Sequence, residues 1–179
     1  MSAFSDKDKG WRDLMKRFEV HAGETHGFAG YLRSSGDYQP KNQPNGKSNS
    51  EHKPIRIAAL AAVHEFGATI KNAFGRGINV TIPERSYIRS AIDGNRQELE
   101  KMTKKLANAV LVGKIKSRAQ AIGLLCEKVT TLIRSKIDEG VPPPNKPSTI
   151  ARKGSSHTLI DTGQLRNSLD WEIREGKEK

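Results

Sequence analysis

The sequence predicts an α+β protein, because two long helical patterns occupy the middle of the chain and short alternating strand patterns lie on either side. The chain has 179 residues, a length typical of one domain, and we predict a single domain over residues 1–179. Only 35% of the residues are apolar, which is below the share in an average globular protein. The core should therefore be modest, with part of the chain outside it.

The same composition excludes several classes of protein. No apolar run reaches the roughly 18 residues of a membrane-spanning helix, and the first ten residues are polar and of mixed charge, unlike a secretory signal. Cys126 is the only cysteine, so we expect no intrachain disulfide, folding in a reducing cytoplasm and no membrane partner. The net charge of +11 and the pI near 9.9 keep nucleic acid open as a partner.

The N-terminal part is predicted to hold a helix, a strand and a long loop. Residues 18–23 alternate as a short strand. Residues 27–53 are rich in Gly, Pro, Asn and Ser, and they hold too few apolar groups to offset the entropy of ordering them. We therefore predict an extended loop, or arm insertion, over residues 27–53. The preceding helix is indicated by one apolar face, formed by Trp11, Leu14, Met15 and Phe18.

The next stretch predicts a helix, a second loop and a strand. Pro54 suits the first turn of a helix that Gly67 stops, since glycine accepts a positive φ at little cost. Residues 68–77 are glycine-rich and form the second predicted loop. The alternation that follows predicts a strand with one buried face, made of Ile78, Val80 and Ile82.

Two long helices should follow. Apolar residues at helical spacing run through residues 87–110, and Gly94 with Asn95 can kink or split this helix. Ser117 caps a second helix that Gly140 ends, just before three consecutive prolines.

The C-terminal segment, residues 141–179, is predicted to be made of turns and a strand. A short helix should begin at a cap from Ser148, and Asp161 or Thr162 should cap a single turn. Residues 167–174 alternate as a last strand.

The sequence contains only fragments of known catalytic motifs. His64 and Glu65 make half of a zinc-protease helix, but Ala68 stands where the second histidine is needed. Asp161 begins a single Asp-Thr-Gly triplet, which the capping of a turn explains better than aspartic-protease chemistry. Cys126 lies on an apolar helix face and should act as a small buried hydrophobe. We predict no catalytic, cofactor-binding or metal-ligating residues and no enzyme activity.

The long helices carry much of the positive charge. Between residues 84 and 136, twelve basic residues outnumber five acidic ones. The cluster is either a phosphate-binding surface or a solvated helix face, and it has neither interleaved aromatic residues nor a helix-turn-helix signature. The basic residues are Arg85, Arg89, Arg96, Lys101, Lys104, Lys105, Lys114, Lys116, Arg118, Lys128, Arg134 and Lys136.

Three stretches of sequence, in a fixed order, resemble a known family. They are AALAAVHEFGA at 58–68, IPERSYIR at 82–89, and VPPPNKPSTIARKG at 141–154 leading to LIDTGQLRNS at 159–168. This order resembles the neck, or tail-completion, proteins of long-tailed bacteriophages, and the C-terminal pattern is similar to that of Mu-type virion-morphogenesis proteins. Ser86 and Tyr87 stand where that family more often has Pro and Phe.

The resemblance implies an α+β fold in which a small antiparallel sheet packs against two long helices, with long loops between elements, in a ring-forming subunit. It implies a structural virion protein that caps or completes the tail at the head–tail junction. The implied partners are further copies of the chain, tail proteins, head-closure or connector proteins, and genomic DNA passing through the lumen without sequence-specific binding. A hexameric ring is favoured, with a dodecamer as the other option.

Two further hypotheses concern an alternative function and the contact surfaces of the chain. The alternative function is a basic protein that binds double-stranded DNA through its Lys/Arg-rich helices. The two loops are candidate contact arms, because long polar loops gain order on binding; the competing interpretation is that their aromatic residues pack on their own subunit. The candidate contact residues are Phe28, Tyr31, Tyr38, Lys71, Phe74 and Arg76.

Overall fold

The computed structural model describes residues 25–38, 55–73 and 77–175, and in them the α+β class is confirmed. They form six α-helices and two antiparallel sheets of two strands each, instead of one small sheet. The predicted helix of residues 11–18 and the predicted strand of residues 18–23 lie outside the described residues.

The described elements are four strands, six α-helices and one 3-10 helix. The strands are β1 (Thr25–Gly30), β2 (Ala68–Ala73), β3 (Ile78–Ile82) and β4 (Asp170–Glu175). The α-helices are α1 (Ile57–Phe66), α2 (Tyr87–Gly94), α3 (Arg96–Leu111), α4 (Arg118–Glu139), α5 (Pro147–Lys153) and α6 (Gln164–Asn167). A short 3-10 helix spans Arg33–Ser35.

The first sheet joins the two ends of the described chain. β1 pairs antiparallel with β4, with Thr25 opposite Glu175, and the sheet packs on α4. At Gly27 an added Cβ would lie 2.4 Å from Cγ2 of Ile122 and 2.5 Å from Sγ of Cys126. Glycine therefore allows β1 to approach α4 closely, and Cys126 is buried beneath it, as predicted.

Both predicted loops begin too early. Residues 27–30 belong to β1, which is ordered by β4, a strand that lies far along the sequence. Residues 68–73 form β2, which pairs antiparallel with β3 and contains an irregularity between Ile70 and Ala73. In both cases pairing with a partner strand determines the structure. The polar composition of the segment alone does not predict this pairing.

The core lies where α1, α2 and α4 meet the C-terminal segment. Tyr87 and Ile137 are 0% exposed, and Ile57, Ile133 and Leu169 pack around them. Helix α3 has no fully buried residue, so it covers one side of α4 as an outer layer.

Most of the predicted helix boundaries are confirmed, but α1 begins at Ile57 with Arg56 at its N-cap, so the start predicted at Pro54 is wrong. The split at Asn95 separates α2 from α3, the Ser117 hydroxyl accepts from the Gln120 amide at 3.1 Å, and Gly67 and Gly140 follow α1 and α4 with positive φ. The predicted Ser148 cap is wrong, because α5 begins one residue earlier with Pro147 in its first turn.

Candidate functional site

The most connected polar group in the described chain is the Glu65 carboxylate at the end of α1. Glu65 is only 3% exposed. Its oxygens accept hydrogen bonds from the backbone amides of Ile88 and Arg89, at 2.9 and 3.1 Å, and from the Ser86 hydroxyl at 3.0 Å. These amides are unpaired donors in the first turn of α2. Glu65 therefore caps α2 from another helix, and the Ser86 side chain makes no capping bond of its own.

The charge of Glu65 is also balanced. Arg89 donates through Nε to Glu65 at 3.1 Å and through Nη2 to Glu84 at 2.5 Å, and its guanidinium lies 5.1 Å from the centre of the Phe66 ring. Burial acts to raise the pKa of Glu65, but the hydrogen bonds from Ile88, Arg89 and Ser86 outweigh it and the pKa is lowered. The carboxylate is thus held ionised.

Arg85 links the start of α2 to the proline segment. It is 6% exposed, and its guanidinium donates to the carbonyl of Pro143 at 2.9 Å, to the carbonyl of Pro144 at 3.4 Å and to Oδ1 of Asn145 at 3.3 Å. Burial lowers the pKa of Arg85. Arg85 is thus paired with fixed acceptors in the proline segment. We call Glu65, Arg85, Arg89 and residues 143–145 the motif node.

The motif node also reaches the C-terminal segment. Asn145 donates through Nδ2 to the carbonyls of Ser156 and His157, at 3.2 and 3.0 Å. The Val141 amide donates to the Thr158 hydroxyl at 2.9 Å. The chain that follows the prolines is therefore tied back to the node by both backbone and side-chain bonds.

His64 lies beside the node and has a buried, unpartnered nitrogen among the described residues, Nδ1. Burial, followed by the positive charges of Arg85 and Lys153, lowers the pKa of His64 from 6.5 to about 4. No group of three or more His, Cys, Asp or Glu residues that could hold a metal occurs in the described ranges.

The pKa of His64 predicts that the protein loses stability in mild acid. In the unfolded chain His64 takes up a proton near pH 6.5, whereas in the folded chain it does so only near pH 4. Its contribution to the free energy of unfolding is therefore complete above pH 6.5 and is lost as the pH falls from 6.5 towards 4. We expect a loss of about 2 kcal/mol between about pH 7.5 and pH 5. Urea unfolding at both values measures it, and His64→Gln should remove most of the difference. An equal loss in the variant would contradict this assignment.

The Asp-Thr-Gly triplet has a structural role in the described fold. The Thr162 hydroxyl accepts from the Gln164 amide at 3.3 Å, which orders the turn before α6 and its buried Leu165, although Gly163 and not Thr162 occupies the N-cap position. Asp161 accepts from the Tyr38 hydroxyl at 2.9 Å. Burial and the Asp161 carboxylate raise the pKa of Tyr38 to about 12.

Three predicted contact residues lie on the body of the subunit. Phe28 is on β1, with the Arg174 guanidinium 4.3 Å from its ring centre. Tyr31 packs against the core and accepts from the Tyr87 hydroxyl at 3.1 Å, and Tyr38 is tied to Asp161. These contacts agree with the competing interpretation, in which the aromatic residues pack on their own subunit. Lys71 is exposed on β2, and Phe74 and Arg76 lie outside the described residues.

The two chain ends that flank residues 39–54 meet. The Tyr38 amide donates to the Ile55 carbonyl at 2.8 Å, and the Ile57 amide donates to the Gly36 carbonyl at 3.0 Å. Asp37 and Arg56 form an antiparallel bridge between these two bonds. The described residues on either side of residues 39–54 therefore lie next to each other, and residues 27–38 of the predicted loop belong to the described fold.

The β2–β3 hairpin, which we call the ribbon, carries an apolar face that the described chain leaves open. Ile70 is opposite Val80, and Ile78 shares their face because side chains alternate along a strand. These residues are 49%, 36% and 55% exposed, so the predicted burial of this face is wrong. At the base, an added Cβ on Gly67 would lie 2.9 Å from the Glu84 amide nitrogen.

The sequence contains only partial signals of this site. Glu65 follows His64 in half of a metal motif, and nothing in the sequence indicates that it caps a second helix. The exposed ribbon face was missed, and the signal was a two-stranded alternation with no third strand pattern nearby to cover it.

Comparison with known proteins gives no relative. No family model, curated protein or solved structure matches the chain. Among the described helices, none is long and apolar enough to cross a membrane.

Proposed function

We propose that this chain is a structural protein of the phage neck, which forms a ring, completes the tail and joins it to the head connector around the DNA channel. The observation that supports this most is the meeting of the family-like stretches at the motif node. Glu65 comes from the first stretch, Arg85 and Arg89 from the second, and residues 143–145 from the third. The residues that carry the resemblance thus act together as one rigid unit.

A rigid node suits a subunit that is clamped between neighbours. The ribbon begins directly after Gly67 and ends at Ile82, three residues before the node residue Arg85, so both of its strands are anchored close to the node. The chain thereby presents an apolar ribbon from a fixed base. Projecting parts on a rigid body are typical of subunits that contact several different partners.

Removal of residues 40–53 tests the function. With two glycines in their place, the protein should stay folded, because Tyr38 and Ile55 already meet, and its unfolding free energy should change by less than about 1 kcal/mol. A phage that carries this deletion should give filled heads and separate tails in electron micrographs. The full chain supplied in trans should restore joined particles. Normal joining by the deletion variant would contradict a role for this segment.

The alternative, double-stranded DNA binding, has one supporting observation. Exposed lysines lie on the outer side of α3 and in the turn after it, and none of them takes part in an ion pair among the described residues. Binding of the isolated chain to random duplex DNA with a steep salt dependence would favour this alternative. The residues are Lys101, Lys104, Lys105, Lys114 and Lys116.

A further inference from the structure

We propose that His157 is a proton-dependent clamp, which holds the C-terminal segment on the end of α4 by one hydrogen bond when its ring is neutral and by two when the ring is protonated. The clamp consists of the His157 ring and the backbone carbonyls of Asp138 and Thr158. It goes beyond the proposed function, because it concerns the response of the fold to pH and requires neither a ring nor a partner.

Both ring nitrogens of His157 face acceptors. Nε2 lies 3.0 Å from the carbonyl oxygen of Asp138, and Nδ1 lies 2.9 Å from the carbonyl oxygen of Thr158. A neutral imidazole carries one N–H, so only one of these oxygens can receive a hydrogen bond while the other faces a lone pair. The protonated ring carries two N–H groups and can bind both oxygens. The geometry therefore suits the charged ring better than the neutral one.

The Asp138 carbonyl has no donor within its own helix. It lies in the last turn of α4, which ends at Glu139, and the donor expected four residues further on is the amide of residue 142. Residue 142 is a proline, which has no N–H. The helix dipole also favours a positive charge at this end of a helix. Both features favour the protonated ring at this position.

The backbone that carries the ring is held at several points. Thr158 is 6% exposed, and its hydroxyl accepts from the Val141 amide at 2.9 Å. The carbonyl of His157 accepts from Nζ of Lys153 at 2.5 Å and from Nδ2 of Asn145 at 3.0 Å. A change in the hydrogen bonds of the ring therefore acts on a segment that is already ordered around it.

Charged groups from three helices face the clamp. On α4, the Asp138 carboxylate accepts from Nε and Nη2 of Arg166, on α6, at 2.6 and 2.7 Å. The bonds from Arg166, and to a smaller extent the charge of the ring, hold the pKa of Asp138 below its usual value, so this carboxylate stays ionised in mild acid. Lys153, on α5, opposes a charge on the ring, but its ammonium group binds the backbone carbonyl and not the ring. Glu139 is exposed and paired with Lys136.

The two histidines beside the C-terminal segment should respond to acid in opposite directions. Histidine changes its charge between about pH 5 and pH 8. As the pH falls through this range, protonation gives His157 a second hydrogen bond. Protonation of His64, whose Nδ1 has no partner in the described part of the chain, opposes folding instead. The pH response of the clamp is therefore measured most directly in a chain without His64.

Hydrogen exchange of the Val141 amide tests the clamp, because its acceptor is the Thr158 hydroxyl. In the full chain with His64→Gln, the protection factor of this amide should be at least threefold higher at pH 5.5 than at pH 7.5. Adding His157→Gln should abolish the rise, because a glutamine amide offers the same donors at both values. A protection factor is a ratio to the exchange rate of an unstructured peptide, so the intrinsic effect of pH on exchange cancels.

A matched control changes a histidine outside the clamp. His26→Gln on β1, combined with His64→Gln, should leave the rise intact. The wild type and His157→Gln should differ by the same threefold factor in their response to pH, so the test does not require that the His64 variant folds. Equal protection of Val141 at the two pH values in His64→Gln, or a rise that persists after His157→Gln, would overturn the clamp.

Discussion

Replacement of Glu65 by alanine should lower the free energy of unfolding by about 3–5 kcal/mol, the cost of breaking a buried, charge-paired network. The reason is that Glu65 is the acceptor for two backbone amides of α2 and for the side chains of Ser86 and Arg89. Without the carboxylate, these donors lose their partner while still covered by α1. Glu65→Gln should be less severe, since its amide oxygen can still accept from the α2 amides.

Glu84→Ala is the matched control for Glu65→Ala. Glu84 binds the same Arg89 guanidinium at 2.5 Å, but its side chain is 56% exposed, so its removal should change the unfolding free energy by about 0.5 kcal/mol or less. Urea unfolding of both variants at about pH 7.5 measures the difference. Equal losses in the two variants would show that the charge of Arg89, and not the capping of α2, accounts for the stability.

Helix boundaries could be predicted from the sequence because their signals are local. Gly67, Gly140 and Ser117 each act on their own turn of the chain, and all three hold the predicted positions. The strands β1 and β2 could not be predicted, because neighbours in space decide them. The alternation within residues 25–30 is weak, and only the contacts with β4 and α4 make it a strand.

The candidate site was predictable only in part, for the same reason. A positive charge at Arg85, two residues before the start of α2, lies at the positive end of the helix dipole and is unfavourable unless a partner compensates for it, so a fixed partner could be expected from the sequence. That the partners are the carbonyls of Pro143 and Pro144 depends on how the chain returns after α4. The role of Glu65 likewise depends on where α2 starts relative to α1, which no spacing in the sequence encodes.

Replacement of Arg85 by alanine should destabilise the protein by about 2–4 kcal/mol, because it removes a buried guanidinium together with its hydrogen bonds to Pro143, Pro144 and Asn145. The loss should be uneven along the chain. Arg85 is the only described side chain that donates to the carbonyls of Pro143 and Pro144, and Asn145 beyond them holds residues 156–157. Amide exchange should therefore accelerate more in residues 141–158 than in the middle of α4.

Two further variants separate the geometry of Arg85 from its charge. Arg85→Lys keeps the charge but cannot reach several acceptors with one planar group, so it should recover less than half of the lost stability. Arg96→Ala removes an arginine whose side chain is 77% exposed, and it should change the unfolding free energy by about 0.5 kcal/mol or less. Full recovery by lysine would mean that a positive charge at this position suffices. Uniform acceleration of exchange would mean that Arg85 stabilises the core as a whole. The predicted pattern, slow exchange in α4 and fast exchange after the prolines, requires that Arg85 fixes the path by which the C-terminal segment returns to the node.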